Sequence, residues 1–272
     1  MHPELFKIII PEFLQAILPP EVTVYAYGSL IALGVILGYL YTARQARIQF
    51  EVPPHKIRSL LTFIIITAFI GGKLFYFFED PQYFFSNPRN MLSFGSTGFV
   101  FYGSLLFAIP TMLVFFKVNN LPTLEMLDIV ALSACIVHFF GRLGCFHAGC
   151  CYGLPHDGIF SIVFTDPVCR ARPLDTPLHP TQLYSAFLIL AIFLILMVLK
   201  SKRKFPGQLF LTYLGLYALG RSVIEIFRGD YQRGYIMGDW LSHSQFISII
   251  LLLVVGYFYI KLHKKYKTVQ NS

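Results

Sequence analysis

Long apolar segments separated by short polar connections dominate the chain. A helix needs about 20 mostly apolar residues to cross the hydrocarbon core of a membrane. Seven segments meet this requirement: 23–43, 57–79, 98–117, 123–143, 181–199, 207–228 and 241–262. Because lipid offers the backbone no hydrogen-bond partners, each segment is predicted to be an α-helix. The pattern therefore predicts an all-α membrane protein with about seven transmembrane helices.

The first 20 residues show a different pattern. Glu4 and Glu12 flank a short isoleucine run, and the stretch lacks the order of a signal peptide. We expect residues 1–20 to form an interfacial amphipathic helix that stays on the mature protein. Residues 21–267 are predicted to form a single transmembrane domain, followed by a short tail at 268–272.

Basic residues decide the predicted orientation. The runs at 200–204 and 261–267 border helix ends, where the positive-inside rule is strongest. The C-terminus is therefore predicted to be cytoplasmic and, with seven crossings, the N-terminus to be outside. The longest connection, at about 144–180, then lies outside, and long loops are where functional residues concentrate.

Composition agrees with a membrane protein. Charged residues are 13% of the chain, against about 25% in an ordinary soluble domain. The net charge is +8, but no basic face with interleaved aromatic residues appears outside the apolar segments, so nucleic acid is not an expected partner. The basic residues are assigned instead to orientation and to contact with anionic membrane lipid.

Several charged residues fall inside the apolar segments, where a charge costs at least about 2.5–3.5 kcal/mol and usually marks function. They are Lys73, Arg142, Arg221, Glu225 and Arg228. At a rise of about 1.5 Å per residue, Arg221 lies about 21 Å from the inner end of its helix. The others fall at the same level, so we expect one polar layer just inside the outer leaflet. Tyr27 and Gly103 open their helices at this level.

The arginines of this layer favour a phosphate as ligand. Arg221, Glu225 and Arg228 are spaced to form an intrahelical cluster, which is equally compatible with a purely structural ion-pair network. Arg142 has no acidic neighbour within one turn. The surplus of positive charge predicts a phosphate, which guanidinium groups bind in a bidentate manner. For Arg142 and Lys73 the alternative is snorkelling to the interface.

Five motifs resemble the prolipoprotein diacylglyceryl transferase family over nearly the whole chain. GRLGCFHAGCCYG at 141–153 matches its Gly-Arg-rich signature, HPTQLY at 179–184 its His-Pro-Ser-Gln-Leu-Tyr segment, and YALGRSVIEIFR at 217–228 its Tyr–Arg–Glu–Phe-Arg helix. IGGKLFYF at 70–77 resembles its Gly-Gly-Arg-x-x-Tyr stretch, and AYGSL at 26–30 its first-helix Tyr-Gly. The five motifs occur in the family's order and on the family's topology.

The resemblance implies a bacterial inner-membrane transferase whose site faces the periplasm. Its donor would be phosphatidylglycerol, and its acceptor the lipobox cysteine thiol of a prolipoprotein. The products would be a thioether and glycerol phosphate. By this resemblance Arg142 binds the donor phosphate, Arg221 is the essential arginine of the sixth helix, Glu225 and Arg228 support it, and Tyr27 lies near the headgroup. No metal or organic cofactor is expected.

Two parts of the sequence depart from the family's pattern. Tyr102, in the string FYGSL, stands where the family has a histidine to which a proton-transfer role is often assigned. Tyr102 is therefore the candidate proton acceptor, beside the candidate substrate-binding residues Gly103 and Lys73. Cys145 and Cys150 stand where the signature commonly carries an asparagine and a glutamate. These departures keep open a paralogue with another acceptor, or a non-catalytic membrane protein that binds lipid or metal.

The signature also contains a cluster of potential metal ligands, for which three interpretations stay open. Its members crowd a short stretch: Cys145, His147, Cys150 and Cys151. With His156 they offer ligands for zinc, although C-x-H-x₂-C-C is not a standard zinc spacing. A disulfide to Cys169 suits an outward-facing loop, and packing of a tight glycine-rich turn needs neither. His138, one turn before Arg142, is placed to share its face, and His179 is expected to be a structural hydrogen-bonding residue.

Overall fold

The computed structural model describes residues 3–15, 20–86, 99–229, 235–236 and 241–271. Within these ranges seven helices have 18 residues or more. They are α1 (Ala26–Phe50), α2 (Pro54–Glu79), α4 (Phe101–Val118), α5 (Thr123–Ala148), α6 (Thr181–Ser201), α7 (Gln208–Glu225) and α8 (His243–Asn271), and the six-residue α3 (Pro81–Ser86) follows α2. The strands form three antiparallel pairs: β1 (Glu4–Ile9) with β2 (Glu21–Tyr25), β3 (Ile162–Val163) with β4 (Pro177–Leu178), and β5 (Tyr235–Ile236) with β6 (Leu241–Ser242).

The prediction of an all-α membrane protein with about seven long helices is confirmed. Among the described residues, α1, α2, α5, α6 and α8 are long and apolar enough to cross a membrane, and α4 is a shorter apolar helix. The polar residues Gln208, Arg221 and Glu225 lower the hydropathy of α7. The predicted orientation of the two termini stays a prediction.

Helix ends differ from the predictions where the chain meets other segments. The segment predicted to span 207–228 leaves the helix at Glu225, because the following backbone pairs with a loop. The helix predicted to end at 143 continues to Ala148, where Gly149, at φ +67°, stops it. The last helix passes 262 and reaches Asn271, so residues 268–271 of the predicted tail are helical. Residue 272 lies outside the described residues.

The prediction of an amphipathic helix over residues 1–20 is wrong. Residues 4–9 form β1, which pairs with β2 from Ile9 opposite Glu21 to Phe6 opposite Val24. Consecutive isoleucines and the Val-Thr-Val sequence of β2 favour extended backbone because β-branched side chains pack well on a pleated surface. Residues 16–19 of the predicted helix lie outside the described residues. The interfacial position of this segment stays a prediction.

The described chain divides into two compact units. The first comprises residues 1–38 and 127–272, and the second comprises residues 39–126. The single domain predicted over 21–267 stays a prediction.

Small residues allow close helix packing in the first unit. A Cβ at Gly34 of α1 would lie 2.9 Å from the Cβ of Phe140, and a Cβ at Gly38 would lie 2.9 Å from Val137, both in α5. Such contacts between small residues let helix backbones approach closely in a membrane. In the second unit, α2 and α4 meet where Gly71 faces Gly103, and a Cβ on either glycine would overlap the backbone of the other.

A buried carboxylate fixes the start of α7. Asp128 of α5 accepts hydrogen bonds from the backbone N–H groups of Gly207, at 2.9 Å, and Phe210, at 3.1 Å. Arg203, about a third exposed, lies 3.6 Å from the same carboxylate. The first N–H groups of a helix have no partner within the helix, so Asp128 caps α7 from a distant part of the chain. The spacing and charge of the sequence did not single out this residue.

Candidate functional site

The loop after α5 joins three helix ends of the first unit. Gly153 donates its N–H to the carbonyl of His179 at 2.9 Å, and His179 donates to Leu154 at 3.0 Å. Leu154 donates in turn to the carbonyl of Phe227 at 2.9 Å, and Gly153 forms a bridge with Arg228. The end of α5, the start of α6 and the chain after α7 therefore meet around this loop. As a result, three of the five motifs lie together: 141–153, 179–184 and 217–228.

Two buried side chains at the start of α6 clamp the cysteine-rich turn. The hydroxyl of Thr181 donates to the carbonyl of Cys151 at 2.6 Å, and the amide of Gln182 donates to the carbonyl of Cys150 at 2.8 Å. Thr181 and Gln182 are almost fully buried, so water does not compete for these bonds. The clamp fixes the backbone of both cysteines relative to α6.

Arg142 lies among aromatic and sulfur-containing side chains. Its Nε donates to Nε2 of His138 at 3.4 Å, which agrees with the predicted shared face. The His138 ring meets Tyr217 of α7 edge to face, with 4.9 Å between centroids. The structure shows no carboxylate within salt-bridge distance of Arg142 among the residues it describes. Arg142 therefore carries a positive charge that no acidic side chain in the described ranges neutralises.

Arg221 and Glu225 form an ion pair within α7, as their spacing predicted. Their side chains are only 10% and 8% exposed, so the pair is largely shielded from solvent. Arg228 was predicted to complete an intrahelical cluster, and this prediction is wrong because α7 ends before it. Arg228 lies in the bridge to Gly153 instead, where its charge acts on Cys151 and on Arg142.

The cysteines of the signature converge. The Sγ atoms of Cys145, Cys150 and Cys151 all lie within 4.8 Å of one another, and each residue is partly exposed. Hydrogen bonds from the Cys145 and Cys150 thiols, aided by the positive charges of Arg228 and Arg142, lower the pKa of Cys151. None of the five cysteines, all of which lie in the described ranges, forms a disulfide.

The other candidate ligands of the loop lie elsewhere. Cys169 is buried, its Sγ faces the carbonyl oxygen of His147 at 3.9 Å, and burial raises the pKa of its thiol. His156 stacks on His179, with ring centroids 4.0 Å apart. His179 also contacts the hydroxyl of Tyr184 through Nδ1 at 3.0 Å, and partial burial, together with His156, lowers its pKa. His179 is therefore a hydrogen-bonding residue of this loop, as expected.

Tyr27 joins the same site from the start of α1. A Cβ at Gly144 would lie 3.2 Å from its ring and from its carbonyl oxygen, so the first turn of α1 packs on the last turns of α5. The Tyr27 side chain is 43% exposed and interacts electrostatically with all three clustered cysteines. The predicted site residues of the first unit therefore lie together.

Lys73, Tyr102 and Gly103 lie in the second unit. Lys73 is buried in α2, with its ammonium 5.9 Å from the centre of the Phe69 ring. Gly103 packs on Gly71 as described above, and Tyr102 next to it is 59% exposed. The roles predicted for these three residues stay predictions.

The arrangement in the first unit suits an anionic ligand. Among the described residues, Arg142, Arg221 and Arg228 bring three guanidinium groups to this part of the first unit, and Glu225 brings one carboxylate, which pairs with Arg221. Phosphate matches the geometry and charge of guanidinium groups. Fold and site together define a multi-helix membrane protein in which arginine side chains and clustered thiols lie together in the first unit.

Comparison with known proteins narrows this class. A family model described as prolipoprotein diacylglyceryl transferase matches residues 14–261. The chain belongs to the prolipoprotein diacylglyceryl transferase family, and the resemblance seen in its five motifs is confirmed.

Three curated relatives have sequences similar to most of this chain. The phosphatidylglycerol–prolipoprotein diacylglyceryl transferase of Clostridium tetani is 34% identical over 233 residues, which cover 85% of this chain and 90% of the relative. A second enzyme of this name, transferase 2 of Clostridium perfringens, is 31% identical, covering 85% of this chain and 88% of the relative. The corresponding transferase of Rickettsia bellii is 32% identical, covering 86% and 89%.

Sequence reasoning missed three residues that shape the site. Thr181 and Gln182 lie in the 179–184 motif, and Tyr217 opens the 217–228 motif. Neither motif by itself indicates the contacts that these side chains make. Thr181 and Gln182 are polar residues at the start of an apolar helix. Burying their hydrogen-bonding groups without partners would be costly, so their position indicates that they bond to a neighbouring segment. The contact of Tyr217 with His138 joins two different helices, so spacing along one helix gives no signal for it.

Proposed function

We propose that this chain transfers a diacylglyceryl group from phosphatidylglycerol to the cysteine thiol of prolipoproteins. The C–O bond between the diacylglyceryl carbon and the phosphate breaks, a C–S bond forms, and glycerol phosphate leaves with the electron pair. Membership of the family and the names of relatives that match most of the chain support this function. The observation that carries the site assignment is Arg142, a partly buried guanidinium without an acidic partner among the described residues.

Arg142 is assigned to the phosphate of the donor. The leaving group gains negative charge as the C–O bond breaks, and fixed positive groups at that point stabilise the transition state. Arg221, oriented by its ion pair with Glu225, and Arg228 after the helix add to the positive field. Tyr27 is assigned to the headgroup because its exposed side chain borders the same site.

The second unit is assigned the remaining roles. Lys73 and Gly103 are proposed to contact substrate, and Tyr102 to accept the proton of the acceptor thiol. A thiolate is the reacting form, so the thiol must lose its proton before or during the attack. The acceptor is proposed to be the lipobox peptide of a prolipoprotein.

We place the protein in the bacterial inner membrane with its site toward the periplasm. The basic runs beside the ends of α6 and α8 support a cytoplasmic C-terminus. A reporter active only in the periplasm, fused after residue 272, is expected to be inactive, and the same reporter inserted after Asp157 in the loop is expected to be active. The opposite pattern would reverse the assigned orientation.

The transfer itself is tested with purified protein, phosphatidylglycerol and a model lipobox peptide. Mass spectrometry is expected to show the peptide gaining one diacylglyceryl group, and a peptide with serine in place of cysteine is expected to stay unmodified. A folded protein that leaves the cysteine peptide unmodified under these conditions contradicts the proposed function.

The role of Arg142 is tested with Arg142→Ala. Losing a buried charged partner of the phosphate costs about 2–5 kcal/mol, which corresponds to a rate reduced about 30-fold or more. Arg58→Ala, at an exposed arginine near the start of α2, is the matched control and is expected to keep the full rate. Equal rates for the two variants would remove Arg142 from the site.

A further inference from the structure

The thiol cluster has the dimensions of a metal site. Sulfur atoms that surround one Zn²⁺ at a Zn–S distance of about 2.3 Å in tetrahedral geometry lie about 3.8 Å apart. The Sγ atoms of Cys145, Cys150 and Cys151 lie within 4.8 Å of one another, so small side-chain rotations bring all three to this spacing. A disulfide instead requires about 2.05 Å between two of them and leaves the third thiol without a role.

The backbone holds these three residues in place by different means. Cys145 lies in the last turns of α5, and Cys150 follows the helix end at Gly149. Neighbouring side chains of an extended chain point to opposite sides, but Cys151 has φ +60°, and this left-handed turn lets both adjacent sulfur atoms join one cluster. A non-glycine residue pays about 1–2 kcal/mol for that conformation. The hydrogen bonds from Thr181 and Gln182 to the carbonyls of both cysteines hold the turn against this strain.

The surroundings suit three thiolates around a divalent ion. Three thiolates and Zn²⁺ carry a net charge of −1, and the positive charges of Arg142 and Arg228 act on this cluster. The side chains of His156 and Cys169 have the other contacts described above, and the His147 ring meets the Phe146 ring edge to face, with 6.0 Å between centroids. The structure therefore offers three protein ligands rather than four among its described residues. Three protein ligands and one open position are the usual arrangement of a catalytic zinc, whereas structural zinc has four.

We propose that Cys145, Cys150 and Cys151 bind Zn²⁺ and that its open fourth position binds the sulfur of the acceptor cysteine. The proposal rests on the proposed function, because the acceptor is a thiol only if the chain is the transferase. Cys145, Cys150 and Cys151 are partly exposed, so an incoming thiol can reach the ion. The ion lies beside the arginines assigned to the phosphate of the donor, so nucleophile and leaving group are placed next to each other.

The ion would supply the thiolate that the transfer needs. A thiol that coordinates zinc loses its proton, and this proton passes to solvent or to a weak base. The bound sulfur then attacks the diacylglyceryl carbon with its electron pair, the C–O bond to phosphate breaks, and glycerol phosphate leaves with one more negative charge than the donor carried. The resulting thioether is a weaker ligand than a thiolate and dissociates, which returns the ion to its starting state.

The first test measures metal content. Full-length protein purified in detergent with Zn²⁺ and then freed of loosely bound ion is expected to retain one zinc per chain by elemental analysis. Cys145→Ser and Cys151→Ser are each expected to lower zinc affinity tenfold or more, because losing a ligand costs at least as much as losing a supporting residue. Cys169→Ser, which changes a cysteine outside the cluster, is expected to retain the ion.

The second test asks whether the acceptor binds the ion. Protein loaded with Co²⁺ is titrated with a lipobox peptide, and the thiolate-to-cobalt charge-transfer absorption is expected to rise. A serine peptide is expected to leave the spectrum unchanged. This readout does not depend on phosphatidylglycerol or on turnover.

The outcomes separate this inference from the proposed function. Reduced protein that retains no zinc, a disulfide within the cluster in active protein, or metal-free protein that transfers at the full rate would each overturn the zinc site while leaving the transferase in place. A cobalt spectrum that does not respond to the cysteine peptide would overturn acceptor binding. Metal and peptide binding without thioether formation would support the site and contradict the proposed function.

Discussion

The Arg221–Glu225 pair gives a quantitative prediction about buried charge. Both side chains are about nine-tenths shielded and form one ion pair within α7. Removing one partner of a buried ion pair costs about 3–5 kcal/mol, because the remaining charge loses the attraction that offset its desolvation. For Glu225→Leu, which leaves the arginine, this corresponds to a thermal midpoint lower by about 10 °C at roughly 2–4 °C per kcal/mol.

The reverse variant, Arg221→Met, is expected to be destabilised by a similar amount. This variant leaves the buried carboxylate of Glu225 without the guanidinium that lies beside it in the original protein. A loss of about 3–5 kcal/mol is expected here as well.

The assay is thermal unfolding of the detergent-purified protein, with the double variant Arg221→Met/Glu225→Leu as the control. The double variant leaves no buried charge at this pair, so its stability is expected to be close to that of the unchanged protein. A single variant as stable as the original, or a double variant less stable than both single variants, would refute this reasoning.

Three further predictions follow from the contacts of the first unit. Asp128→Asn loses one of the two oxygen acceptors for the first turn of α7 and is expected to lower the free energy of unfolding by about 2–3 kcal/mol, measured by thermal unfolding. Asp157→Asn, at an exposed position, is the control, and equal stabilities of the two variants would contradict the capping role. Thr181→Val removes the hydroxyl that holds the cysteine turn and is expected to weaken zinc binding about tenfold. Thr181→Ser keeps the hydroxyl and is expected to keep zinc affinity. Equal zinc affinities of the two variants would contradict the role of Thr181 in holding the turn. Cys145→Asn/Cys150→Glu restores the family's residues and is expected to transfer without zinc; chelator-sensitive transfer by this variant would count against the prediction.

The helices were predictable because membrane chemistry leaves the backbone few choices. A spanning segment must satisfy its hydrogen bonds internally, so apolar length alone located all seven helices. Some helices end at residues other than those predicted because of contacts with other segments. The chain after Glu225 leaves α7 to pair with Gly153 and Leu154, and the sequence of 217–228 does not indicate those partners. The N-terminal hairpin differs from the predicted amphipathic helix because the β-branched residues of β1 and β2 favour extended backbone.

The candidate site was predictable only where its contacts are local. Arg142 with His138 and Arg221 with Glu225 are neighbours on single helices, so their spacing indicated the contacts. Thr181 reaches Cys151 across 30 positions, and Asp128 reaches Gly207 across 79. Such contacts depend on how helices pack, which hydrophobic spacing does not specify. The motifs nevertheless marked the right segments, because the loop hydrogen bonds join three of the five.

The net charge of a zinc-bound cysteine cluster explains how cysteines can replace the asparagine and glutamate of the family at this position. The family commonly places an asparagine and a glutamate where this chain has Cys145 and Cys150, which together contribute one negative charge at neutral pH. Three neutral thiols would contribute none. Three thiolates around Zn²⁺ again contribute one negative charge, next to the guanidinium groups of Arg142 and Arg228. The proposed zinc-bound cluster would thus keep the charge that the family's residues bring to this position, and it adds a position at which the acceptor thiol loses its proton.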